Sequence, residues 1–138
     1  MFKLIKIMGA GSNVPEPIKF PVDGVRSYEK GRVFFLSDGQ PTTSVGVDKT
    51  NRRVVLLESI PANSGRDFIW GYLVTDNMVF EADLCYPEYY PVGTCMAFHE
   101  EDMNFGYDGI DNMIGEDALI VEDNDSARTG KVIVTLKW

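Results

Sequence analysis

The sequence predicts an all-β protein: a small β-barrel or sandwich body, residues 23–138, preceded by an extended N-terminal arm, residues 1–22. Three observations carry this reading. Short β-branched and aromatic runs recur along the chain. Clusters of Gly, Pro, Asn and Asp separate them at intervals of roughly 8–12 residues, the spacing of sandwiches and barrels. No long window shows helical periodicity with caps, and the nearest, 89–102, is broken by Pro91 and Gly93.

Residues 1–8 alternate imperfectly, with Phe2, Leu4 and the Ile5/Ile7 pair suggesting extended backbone. Gly9-Ala10-Gly11-Ser12-Asn13-Val14-Pro15-Glu16-Pro17 follows. Its glycines give freedom and its prolines favour polyproline-like backbone, so it reads as an arm with no core of its own. Strands are expected at 33–36, 42–47, 53–57, 68–74, 78–82 and 92–98, with Ser37-Asp38-Gly39-Gln40-Pro41 a strong turn between the first two. Residues 99–117 read as a polar stretch, ending in a short strand about Met113 to Val121, and 122–130 as a polar loop. Residues 131–138 alternate cleanly, with Val132, Val134 and Leu136 on one face.

The net charge of −8 is unevenly spread. Residues 1–32 carry six basic side chains against three acidic ones, which leaves −11 for the rest. So acidic a body argues against nucleic acid and against anionic membranes as partners. Met1 to Met8 is too short, and too interrupted by lysine, for a secretory segment. Nothing approaches the roughly 18 uninterrupted apolar residues of a membrane span. A soluble protein made in a cytoplasm is expected, with Cys85 and Cys95 as reduced thiols, although a hairpin could pair them.

No catalytic apparatus stands out. His99 is the sole histidine, and neither Cys85 nor any serine lies in an elbow motif. Residues 100–125 hold ten carboxylates, but the calcium-loop register starting at Asp102 fails because Gly106 and Tyr107 occupy its fifth and sixth positions. No metal and no cofactor is expected, and the acidic tract reads as a solvated loop. Glycoside hydrolysis by two of its carboxylates is the weakest reading, since nothing places a second reacting group. Trp70 and Tyr72 share a strand face, the mark of core or interface. Tyr86-Pro87-Glu88-Tyr89-Tyr90 is the better surface candidate, because tyrosines in a proline-containing loop anchor protein contacts.

The order of segments resembles the small decoration, or cement, proteins of tailed-phage capsids, which pair an extended arm with a β-barrel or β-tulip-like body. The arm from Lys3 to Pro21 carries the resemblance, with Tyr28-Glu29-Lys30-Gly31-Arg32-Val33 entering a strand. It continues through Tyr90-Pro91-Val92-Gly93-Thr94, Ile114-Gly115-Glu116-Asp117-Ala118 and Thr129-Gly130-Lys131-Val132-Ile133-Val134-Thr135-Leu136. The segment from His99 to Asp111 is longer and more acidic than in the simpler members. The resemblance implies a non-enzymatic virion protein, assembled in the host cytoplasm, that binds the outside of the head and bridges major capsid protein subunits. It also implies a homo-oligomer, a trimer or dimer. The arm would contribute Phe2, Leu4, Ile5, Ile7, Ile18 and Phe20 to that contact, in part by strand addition. The loop would contribute Tyr86, Tyr89 and Tyr90. The alternative is a carbohydrate- or host-surface-binding β module of a virion, with Trp70, Tyr86, Tyr89 and Tyr90 as stacking platforms.

Overall fold

The computed structural model describes residues 1–9, 15–42, 51–99 and 106–137. They form two antiparallel sheets packed face to face, a sandwich not closed into a barrel. One sheet holds β1 (Phe2–Ile7), β7 (Met78–Asp83), β8 (Cys95–His99), β9 (Gly109–Ile114), β10 (Ala118–Glu122) and β11 (Lys131–Leu136). Its spatial order is β1-β7-β11-β10-β8-β9. The other holds β2 (Ile18–Pro21), β3 (Val33–Ser37), β4 (Gln40–Thr42), β5 (Arg53–Leu56) and β6 (Phe68–Leu73), in the order β2-β6-β5-β3-β4. A single helical turn, α1 (Ser126–Thr129), precedes β11. Among the described residues no helix is long and apolar enough to cross a membrane.

Period-two alternation places the core. Val132, Val134 and Leu136 of β11 face inward as expected, with Phe80 and Ala82 of β7 and Met96 and Phe98 of β8. They meet Val33, Phe35 and Val55 from the second sheet. The second sheet is buried on its other face as well. There Phe34, Val54, Leu56 and Ile69 pack beneath Phe20, Val22, Tyr28 and Ile60. Burial on both sides explains why 53–57 reads as an apolar run rather than an alternation.

The N-terminal segment is not the extended arm that its sequence suggests. Both of its ends belong to the sandwich: β1 pairs with β7, and β2 pairs with β6. Phe2 is 2% exposed and meets the Phe98 ring edge-on at 5.6 Å, while Phe20 is 6% exposed in the second core. Burying a phenylalanine is worth roughly 1.5–3 kcal/mol, enough to hold these segments down. The imperfect alternation of 1–8 is a β-bulge, because the register slips between Leu4 and Lys6 and leaves Ile5 outward. The expected strand at 42–47 is represented only by β4, and the rest of it lies outside the described residues. The hairpin from β3 to β4 turns on Asp38 and Gly39, both at positive φ (50° and 79°), as a two-residue loop of the favoured hand requires. The polar stretch 99–117 contains a strand that its composition hides, β9, at the edge of the first sheet.

A buried ion pair ties the two sheets together. Arg53 points from β5 into the core, 1% exposed, with its guanidinium 4.7 Å from the Phe35 ring centre. Its Nη2 lies 3.5 Å from Asp117 Oδ1, between β9 and β10 of the opposite sheet. Desolvation pulls the arginine pKa down and Asp117 pulls it back up. Asp117 Oδ2 also accepts the Phe98 N–H at 3.0 Å. Removing one partner of a buried pair strands the other charge, at a cost of about 3–5 kcal/mol. Asp117→Asn is therefore expected to lower stability to denaturant by that order, whereas Glu116→Gln, its exposed neighbour, shifts it by less than about 0.5 kcal/mol.

Candidate functional site

The loop 84–91 leaves β7 at the end of the sandwich where β9 and α1 also lie. Its start is tied by the Leu84 and Cys85 N–H groups, which donate to the Gly130 and Ile110 carbonyls at 2.8 and 2.9 Å, and two side chains hold the rest. Asn112 of β9 accepts the Tyr86 N–H on Oδ1 at 2.8 Å. Its Nδ2 donates to the Tyr86 carbonyl at 3.0 Å and to the Tyr90 hydroxyl at 2.9 Å. Ser126, the buried first residue of α1, accepts the Tyr90 N–H on Oγ at 3.1 Å. The Tyr90 hydroxyl in turn donates to Glu88 at 3.0 Å. Burial raises the Tyr90 pKa, Asn112 opposes the shift, and the Glu88 carboxylate adds to it. The Tyr90 ring packs against the inner core.

The three loop tyrosines thus divide their roles. Tyr90 anchors the loop, while Tyr86 and Tyr89 leave 69% and 54% of their surface in solvent. The loop backbone is fixed while two large rings remain uncovered. A partner docking there has little loop entropy left to remove. Asn112 and Ser126 lie in stretches that read from sequence as polar loops, and no local pattern marks either as a clamp.

The remaining expected residues are dispersed. Of the arm set, Phe2 and Phe20 are core and unavailable to a partner. Leu4, Ile5 and Ile7 line a cavity of about 450 Å³ with Leu57 and Tyr72. Ile18 is exposed on β2, at the edge of its sheet. That edge carries Pro21, and the opposite edge, β4, carries Pro41. Proline cannot donate to a ladder, so neither edge is a good template for an added strand. Trp70 is no open platform either. Its ring meets Phe68 edge-on at 6.1 Å, and the Lys19 ammonium lies 5.2 Å from its centre.

The acidic tract also separates. Asp117 is buried against Arg53, Glu122 pairs with Lys6, and Asp125 with Arg128. Residues 100–105 lie outside the described residues. Among the described residues no group of three or more His, Cys, Asp or Glu is placed to hold a metal. Cys85 and Cys95 are free thiols, Cys85 beside Ile110 and Cys95 opposite Leu119.

Compared with family models, curated proteins and solved structures, the chain matches none.

Asn112→Ala removes the clamp but leaves the core intact. It is expected to cost about 1–2 kcal/mol and to speed amide exchange selectively at Tyr86 and its loop neighbours, as read by hydrogen–deuterium exchange.

Proposed function

We propose that this chain is a non-enzymatic structural protein that attaches to a larger protein assembly through the clamped tyrosine loop. The assembly that its segment order favours is a tailed-phage head, with the chain on the outside bridging major capsid protein subunits. The single observation that carries attachment is the loop itself: Tyr86 and Tyr89 exposed on a backbone held by Asn112 and Ser126. Tyrosine is among the residues that dominate binding energy at protein interfaces, and a fixed loop lets it do so at small entropic cost.

The loop replaces the arm as the main contact in this reading, because Phe2 and Phe20 are committed to the cores. Exposed Ile18 remains a secondary contact. Glu88 and Asp111 lie beside the loop, so the complementary surface is one bearing Lys or Arg. Modest contacts repeated across an oligomer raise the effective affinity by orders of magnitude. A protein that binds only the expanded shell stabilises that shell by mass action. The sugar-binding alternative gains nothing from Trp70, whose ring is flanked by Lys19 and Phe68.

Tyr86→Ala and Tyr89→Ala are expected to weaken co-sedimentation with expanded heads at least tenfold each, about 1.4 kcal/mol or more, typical of an interface hot spot. Their thermal midpoints should stay near that of the parent protein, since both rings are exposed. Undiminished binding by the double variant would remove the loop from the contact.

A further inference from the structure

Beside the loop, and independent of the attachment reading, three side chains form an ordered chain. The Cys85 Sγ lies 3.8 Å from His99 Nε2. On the far side of the imidazole, Asp111 Oδ2 lies 3.7 Å from Nδ1, too long for a hydrogen bond and close enough to orient the ring by charge. A thiol on one ring nitrogen and a carboxylate on the other is the order in which a base activates a nucleophile. The sequence separates the three by 14 and 12 residues, and they meet only because the chain leaving β7 runs beside the paired strands β8 and β9.

Cys85 and His99 open on a cavity of about 530 Å³, whose other walls include Met1, Asp83, Asp108 and Tyr86. The Met1 ammonium donates there to Asp83 Oδ2 at 3.0 Å and to the Asp108 carbonyl, and Lys131 takes the other Asp83 oxygen at 2.7 Å. A cavity of that size admits a small molecule to the thiol.

We propose that Cys85 is a reactive thiol, with His99 as its base and Asp111 as the positioning residue, that exchanges with small disulfides. His99 Nε2 takes the thiol proton. The Cys85 thiolate attacks the nearer sulfur of the disulfide, a new S–S bond forms, and the original S–S bond breaks. The departing thiolate takes the proton from His99. The incoming disulfide supplies the oxidising equivalent and leaves as one free thiol and one half bound to Cys85.

Cys95 gives an internal reference, because it is exposed and Cys85 is only half-exposed. Accessibility alone would make Cys95 the faster thiol. The test uses the full chain as Cys95→Ser and Cys85→Ser, each carrying one thiol, treated with cystamine or with oxidised glutathione and followed by intact-mass spectrometry. Each disulfide is expected to modify Cys85 roughly tenfold faster than Cys95. His99→Gln should bring Cys85 down to the rate of Cys95, and Asp111→Asn should slow it a few-fold, with circular dichroism reporting that each remains folded. Should His99→Gln not fold, Asp111→Asn and the comparison of the two thiols decide the matter. Equal rates at the two cysteines, or a Cys85 rate that ignores both substitutions, overturns the reactive thiol.

Discussion

The structure depends on a charge placed where charge is most expensive. Arg53 lies between the sheets against the ring of Phe35, where it pairs with the Asp117 carboxylate. That carboxylate does more than neutralise it. The backbone of Asp117 donates to the Met96 carbonyl and accepts from the Lys137 N–H, and its side chain accepts from Phe98. A single residue therefore fixes the spacing of β8 and the end of β11, and through Arg53 it fixes the position of β5. Such a pair adds little net stability over an apolar replacement, but it punishes any packing that separates its members. Its effect is to select one arrangement of the two sheets.

The functional end of the molecule follows from that arrangement. β8 runs from Cys95, past the Phe98 amide that Asp117 holds, to His99. β9 pairs with β8 and carries Asp111 and Asn112 on consecutive positions. Alternation sends these two side chains in different directions, Asp111 toward His99 and Asn112 toward the tyrosine loop. The loop clamp and the thiol site are thus two uses of one edge strand.

How much of this is legible in the sequence varies with how local the cause is. The apolar runs of β3, β5, β6, β7 and β11 announce themselves, because their burial is written in consecutive residues. The Asp38-Gly39 turn does so too, because few residues tolerate positive φ. β9 does not. It begins at a glycine, and its partly wetted edge position needs little apolar alternation, so Gly109, Asp111 and Asn112 read as loop. The Gly- and Pro-rich segment after β1 reads as a free arm, because local composition says nothing about Phe2 meeting Phe98 or Phe20 meeting the far face of the second sheet. The same holds for the site. Tyr86 and Tyr89 stand out as surface aromatics by type alone, while Asn112, Ser126 and Asp111 act only through partners distant in sequence.

Among the described residues, the edges of the second sheet carry proline, Phe2 and Phe20 are core, and several carboxylates of the acidic tract are engaged in ion pairs. The hydrogen-bonded loop with its two exposed tyrosines is the surface proposed for attachment, and attachment through it is the central claim. Hydrogen–deuterium exchange of the protein, free and seated on expanded phage heads, tests that claim most directly. The account predicts protection concentrated in residues 85–90 and in β9. Unchanged exchange there, with protection confined to β1 and β2, would contradict it.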